Sequence, residues 1–482
     1  MNHVENAVSR RGFLTGSCAF FACLMSRPAR AVLAAAEDAA RPLPDYYAAY
    51  LDVVAKKVNA LAEKTADGFW FITDLHITAN RRQSGKALAA LTAKVPALRK
   101  TFCGGDLPEA FSARFESSKA GVDYAIDYYR LFWVEPIEAS GQLVYTAKGN
   151  HDFTIRYDAK TNDGFTYPPE EARRIVMQSK GCQGANVVTN RDDPTACYYY
   201  FDNAAAKIRY IVADTTDTID PKQKYWAVVY GMHETQLRWL ADNAIATLPA
   251  GYGAVVIHHI PLTGCVGGEN ERKTFAPFRE LLEAYQNRRQ YVLCGKAYDF
   301  TEAKGRILLD LTGHHHAERQ TFQNGILHVT EPCDAAYGDY ILGSKPWCGD
   351  LPRKAGGTVN EQTFGAVQLD PAHDRVYFTR VGGGQDRVIH LRPLVARVGQ
   401  PLAFCASLLE GPVSWGCYDA DRITTRPNPK NRYNPFVEYS HEIAKIDAKG
   451  VLTAAKPGEI MVLAMDKNLN KEIFPVTVIG LS

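Results

Sequence analysis

Phe69-Trp70-Phe71-Ile72-Thr73 is a short apolar run that stops at Asp74-Leu75-His76. Aromatic and β-branched residues ahead of polar ones read as a buried strand, which places a carboxylate and an imidazole just past its carboxyl end. The same arrangement returns four times. Gly105-Asp106 follows Thr101-Phe102-Cys103, and Gly149-Asn150-His151-Asp152 comes after Leu143-Val144-Tyr145-Thr146. His258-His259-Ile260-Pro261 follows Ala254-Val255-Val256-Ile257, and Gly313-His314-His315-His316 follows Ile307-Leu308-Leu309-Asp310-Leu311. Side chains at the carboxyl ends of neighbouring strands converge in one crevice, so five distant segments can build one site.

Between these runs lie helix-period stretches, notably residues 235–248, where Leu237, Leu240, Ala241, Ala244 and Leu248 share a face. Alternation of strand and helix predicts a layered α/β domain reaching to about Arg392. From Pro393 the chain changes to Pro-rich turns and short alternating strands, such as Ile460-Met461-Val462-Leu463-Ala464-Met465 and Phe474-Pro475-Val476-Thr477-Val478. That pattern predicts a small β-sandwich able to bury its own core.

The residues after the strands suit hard-to-borderline divalent metals, being carboxylates, imidazoles and an amide without clustered thiolates. The spacing in Asp74-x-His76 and His314-x-His316 would let alternate side chains of an extended segment leave on one face. Taken in order, the five motifs resemble the signature blocks of the calcineurin-like metallophosphoesterase family. The resemblance runs over about residues 44–392 and includes Tyr198-Tyr199-Tyr200-Phe201-Asp202, Ile211-Val212-Ala213-Asp214-Thr215 and Gln236-Leu237-Arg238-Trp239-Leu240.

The resemblance implies a four-layer α/β/β/α sandwich with two divalent metals, Mn, Fe or Zn, between its sheets. Asp74, His76 and His316 would hold one metal and Asn150, His259 and His314 the other, with Asp106 bridging. His259 is favoured over His258 because the family pattern sets the ligand two residues before proline, here Pro261. His315 would point away, His151 would face the substrate as a proton or hydrogen-bond donor, and Asp152 would orient it. Two such cations share an acidified hydroxide and stabilise an in-line displacement at phosphorus, which implies hydrolysis of phosphomonoesters or phosphodiesters. Purple acid phosphatases carry a tyrosine three residues after the bridging aspartate. Glu109 stands there instead, which speaks against a tyrosinate-bound ferric ion. The loops at 153–169, 264–272 and 335–357 carry no legible specificity signature.

The tail resembles a group-2 bacterial immunoglobulin-like domain through Glu442-Ile443-Ala444-Lys445-Ile446-Asp447, Lys449-Gly450-Val451-Leu452-Thr453-Ala454 and Pro457-Gly458, with Trp415 as the inner-strand tryptophan. It would serve as a spacer or anchor, or contact a cell-surface glycan or protein. A surface-adhesion protein with an inert larger domain is the alternative reading, and the complete ligand set favours the enzyme.

Ser9-Arg10-Arg11-Gly12-Phe13-Leu14 precedes a mildly apolar stretch ending near Met25, and Ala34-Ala35-Ala36 follows it. This resembles a twin-arginine export signal covering residues 1–36. It leaves residues 37–392 as the catalytic part and 393–482 as the tail, in an exported protein of the periplasm or cell surface. The 482 residues carry 55 basic and 53 acidic side chains, a balance that argues against nucleic acid or a charged membrane surface as partner. No later apolar run approaches the ~20 residues needed to span a bilayer. Nine of the eleven cysteines follow the signal, so at least one thiol stays unpaired, while Cys182 with Cys197, Cys333 with Cys348 and Cys405 with Cys417 are close enough in sequence to bond.

Overall fold

The computed structural model describes residues 33–34, 36–38, 41–77, 83–107, 118–152, 154–158, 163–166, 168–217, 231–263, 274–316, 318–334, 357–420, 423–426 and 436–480. The export motif, Glu109, Cys348 and the loop 264–272 lie outside the described residues, as do 153, 159–162 and 167 of the loop 153–169 and nearly all of the loop 335–357.

The chain first lays down β1 (Asp67–Ile72), β2 (Lys100–Cys103) and β3 (Leu143–Thr146) as neighbouring parallel strands. It then builds a seven-stranded sheet from β4 (Val188–Thr189), β5 (Tyr199–Asn203), β6 (Ile208–Val212), β7 (Gly253–Ile257), β8 (Arg306–Thr312), β9 (Arg319–Gln323) and β10 (Ile326–Thr330). Their spatial order is β9-β10-β8-β7-β6-β5-β4, with β6, β7, β8 and β10 parallel. The chain returns as β11 (Thr363–Asp370), β12 (Arg375–Gly382) and β13 (Arg387–His390), which extend the first sheet from the other side of β1.

Alternation along the central strands explains the layering. Tyr210 and Val212 of β6 and Val255 and Ile257 of β7 pack into the core with Phe69, Phe102 and Tyr145 of the first sheet, whereas Ile211, Ala254 and Val256 face the opposite way. The aromatic centre is tight: the Phe102 ring lies 5.0 Å from Phe69 and 5.1 Å from both Tyr145 and Tyr210. On the outer side of the first sheet, α1 (Asp45–Ala62) rests on β11 and β12 and α2 (Gln83–Lys94) beside it. The second sheet is covered by α3 (Glu234–Trp239), which runs on as a π-helical segment Leu240–Ile245, and by α4 (Ala276–Gln286). The helix expected over 235–248 therefore changes winding midway, keeping Leu237, Leu240, Ala241 and Ala244 buried.

The tail comprises β14 (Leu394–Arg397), β15 (Leu402–Ala403), β16 (Ser414–Asp419), β17 (Ala444–Ile446), β18 (Val451–Ala454), β19 (Gly458–Met465) and β20 (Lys471–Ile479). Phe404, Ile443, Leu452, Ile460, Val462, Val476 and Val478 form a core of their own, with Trp415 half-buried against it. The tail nevertheless joins the first sheet. β20 pairs in parallel with β13, Arg387 opposite Lys471 and Ile389 opposite Ile473, giving ten continuous strands.

Two expected disulfides are absent: Cys182, Cys197, Cys405 and Cys417 are free thiols. Cys182 Sγ sits against the Tyr199 hydroxyl at 3.4 Å while Cys197 Sγ faces the Thr195 carbonyl, and Cys417 is buried while Cys405 is exposed. Nearness in sequence did not become nearness of sulfurs.

Candidate metal centre

The five motifs meet at one end of the parallel strands. Past their last residues the strands stay zipped: Asp74 N donates to Gly105 O at 2.9 Å, His76 N to Asp106 O at 2.9 Å and Gly313 N to His259 O at 3.0 Å. Such close backbone approach explains the motif glycines. A Cβ on Gly149 would overlap the Asp106 amide and carboxylate, and one on Gly313 would overlap Thr73 and Asp74.

The candidate ligand side chains do not fan out from extended backbone, as the two-residue spacing suggested. Asp74, His76, Asp106, His314 and His316 all have φ between 41° and 71°. This left-handed region is sparsely used outside glycine, though Asp and His tolerate it best, at a cost of about 1–3 kcal/mol per residue. The loops bend sharply at each of these residues, and the surrounding hydrogen bonds hold the bend.

Both aspartates divide their oxygens between scaffold and centre. Asp74 Oδ2 accepts from Thr73 Oγ1 at 2.7 Å and His314 N at 3.0 Å, while its buried Oδ1 lies 3.1 Å from His316 Nε2. Asp106 Oδ1 accepts from His151 N at 2.8 Å, and its Oδ2 stands 3.2 Å from His259 Nε2 and 3.7 Å from His76 Nε2. His76 Nε2 and His316 Nε2 are 3.4 Å apart. Across the centre Asn150 Oδ1 lies 3.0 Å from His259 Nε2 and 2.8 Å from His314 Nδ1. Donor atoms about 2.1 Å from a tetrahedral cation sit about 3.4 Å from one another, so these separations fit metal coordination.

The electrostatics agree. Burial would raise the carboxyls of Asp74 and Asp106, but His316 beside the first and His259 and His151 beside the second hold both well below the usual range. Burial opposes charge on His259, yet Asp106 and Asp74 lift it to about 9. His76 and His314 are pushed down by burial to about 3. Carboxylates held ionised among imidazoles are donors that suit a divalent cation, and the donor chemistry therefore fits the metals the sequence implied.

Of the two adjacent histidines, His259 enters the centre, its Nδ1 donating to Gly104 O at 2.7 Å. His258 turns away, placing Nε2 2.5 Å from Asp310 Oδ1 and Nδ1 2.9 Å from Ile260 O. The His315 ring rests on His314, with 5.0 Å between centroids. His151 stands at the rim, its side chain 17% exposed and its Nε2 3.9 Å from Asp106 Oδ2. Asp152 does something other than the sequence suggested. Its carboxylate accepts from the amides of Asp106 at 3.1 Å, Leu107 at 2.5 Å and Gly149 at 2.7 Å, so it clamps the loop of Asp106 rather than aiming His151. Burial and the neighbouring Asp106 raise its carboxyl to about 8. Lys148, whose Nζ meets Asp214 Oδ2 at 2.5 Å, anchors the next loop in the same way.

One residue of this centre was missed. Cys333, three residues past β10, reaches His76 and His316. Applying the rule of residues just beyond strand ends to β10 would have found it.

No family model and no curated protein matches the chain. Among solved structures it is similar to a dimetal phosphatase from Danio rerio, at 14% identity and TM-score 0.42, covering 67% of this chain and 98% of that one. It is also similar to GAP50, the anchor in the inner membrane complex of Plasmodium, at 11% identity and TM-score 0.34, covering 65% and 84%. A third is a phosphopantetheinyl hydrolase from Mycobacterium tuberculosis, at 12% identity and TM-score 0.28, covering 56% and 91%.

Proposed function

We propose that the chain is an exported phosphoesterase with a dinuclear metal centre, hydrolysing phosphomonoesters or phosphodiesters. The observation that carries this reading is the convergence of Asp74, His76, Asp106, Asn150, His259, His314 and His316 from five strand ends, with donor atoms at coordination spacing. Asp74, His76 and His316 would hold one cation and Asn150, His259 and His314 the other, Asp106 serving both. When bound, two such cations supply an acidified water and neutralise the phosphoryl charge.

The chain's own residues do the rest. His259, fixed through Nδ1 on the Gly104 carbonyl, presents Nε2 in one orientation, and the Asn150 oxygen needs no deprotonation to serve beside it. Asp152 and the left-handed bends pre-set the loop carrying Asp106, so little reorganisation is left for the reaction. His151 at the rim is placed to give a proton or hydrogen bond to the departing oxygen. Residues 1–36 would address the protein to the periplasm or cell surface, residues 37–392 would be the catalytic part, and the immunoglobulin-like residues 393–482 would anchor it or meet a surface glycan or protein.

Metal analysis followed by a substrate panel tests the reading. Chelator-stripped protein should be inactive and recover with Mn or Fe(II) on an aryl phosphate monoester, a nucleotide or a bis-aryl diester. Protein carrying close to two metals yet hydrolysing none of these classes would refute it.

A further inference from the structure

Cys333 enters the centre from a strand end that none of the five motifs includes. β10 runs parallel to β8, so its carboxyl end lies beside the loop of His314 and His316. The Cys333 side chain is buried, and Sγ donates to the main-chain oxygen of Asp74 at 3.3 Å. Sγ and one ring nitrogen each from His76 and His316 all lie within 4.8 Å of one another. The same two imidazoles belong to a second group, with Asp74 and Asp106, whose donor atoms meet the same limit. One imidazole pair is thus shared between two carboxylates on one hand and a thiol on the other.

These partners select different ions. Carboxylate oxygens suit hard cations, whereas a thiolate draws soft ones. The 3.4 Å between His76 Nε2 and His316 Nε2 is already a tetrahedral edge. A zinc–sulfur bond of about 2.3 Å beside zinc–nitrogen bonds of about 2.1 Å sets nitrogen and sulfur about 3.6 Å apart, so a movement on the order of 1 Å completes the set.

We propose that His76, His316 and Cys333 form a soft-metal position that excludes occupancy at Asp74 and Asp106 and takes a thiophilic divalent ion such as Zn²⁺ or Cd²⁺, with solvent in the fourth place. Binding breaks the S–H bond, forms a sulfur–metal bond and releases the proton to solvent, and the Asp74 carbonyl loses its donor. Both imidazoles then turn to the thiolate side and are withdrawn from the two carboxylates. A soft ion is therefore a brake on the chemistry of the hard position. The brake rests on the phosphoesterase reading, whereas the soft position does not.

The test is a titration of metal-stripped, full-length protein with Cd²⁺, following the thiolate-to-cadmium absorption in the near ultraviolet. One equivalent should develop the band with release of the thiol proton, together with any proton held on the two imidazoles, and Cys333→Ser and His316→Ala should each abolish the band. X-ray absorption of wild-type protein with one equivalent of zinc needs no variant and should show a sulfur neighbour at about 2.3 Å. An undiminished band in Cys333→Ser, arising from another of the eleven cysteines, overturns the proposal, as does a wild-type zinc shell of nitrogen and oxygen alone. Hydrolysis by the manganese-loaded protein is read separately. Its absence beside an intact band rejects the phosphoesterase reading alone, and hydrolysis without the band rejects the soft position alone.

Discussion

Lys471 Nζ lies 3.0 Å from Glu318 Oε1, both side chains buried, and so ties the last strand of the tail to a residue two places after His316. Arg380 bridges Glu318 at 2.7 Å and Glu331 at 2.8 Å, and Arg387 adds a contact to each carboxylate. Three cations and two carboxylates thereby fasten β12, β13 and β20 to the loop that bears a proposed metal ligand. Lys471→Met should lower stability by about 1–3 kcal/mol, because Glu318 keeps two arginines but loses one buried partner. Lys471→Arg should lose less. A chain ending at Arg392 would lose Lys471 together with the β20 strand that pairs with β13, and should unfold at lower urea than the full chain. Equal midpoints would show that the tail only adheres.

Acid sensitivity follows from the same cluster. Burial alone would raise the Glu318 carboxyl, but Arg387, Lys471 and Arg380 hold it well below its ordinary value of 4.5. A carboxyl depressed in the folded state contributes its full stabilisation above the unfolded value and loses it as pH falls toward the folded one. Urea midpoints of the wild type should therefore drop from about pH 5 downward, and more steeply than those of Glu318→Gln. Parallel curves would remove Glu318 from the account.

The residues of the candidate centre were legible because their chemistry is rare and each follows an apolar strand, so position and residue type could be read together. The backbone that aims them was not. Alternation predicted extended segments at Asp74-x-His76 and His314-x-His316, whereas the chain bends left-handed at all four residues. Local pattern carries no record of the amides that Asp152 caps or the strand that β20 pairs with, since both depend on contacts far apart in sequence. Cys333 escaped for another reason: its nearness in sequence to Cys348 offered a disulfide partner instead.

Metal content should separate the ligands. Asp106 Oδ2 faces both His259 and His76, so Asp106→Asn should weaken both sites, whereas His76→Ala should empty mainly one. His259→Ala should lose metal and His258→Ala should largely keep it, because the His258 ring is spent on Asp310 and Ile260. Full metal in Asp106→Asn would end the bridging role.

Export is tested in the native host by changing Arg10 and Arg11 to Lys. Twin-arginine recognition reads the guanidinium pair, so the protein should stay in the cytoplasm with its leader uncut. Unchanged export would point to a general secretory route.

His151 separates a chemical role from a structural one. Its backbone amide supports Asp106 Oδ1, and that bond survives replacement of the side chain, so His151→Ala should keep both metals. Turnover should fall by about 10²–10⁴ if the imidazole gives its proton to the leaving oxygen. The loss depends on what leaves: a nitrophenolate bears negative charge well and should suffer less than an alkoxide, which needs the proton. The ratio of the two losses is the quantity to measure. Equal losses would move His151 onto the phosphoryl oxygens as a stabiliser of their charge, and loss of metal in the variant would make it a ligand instead.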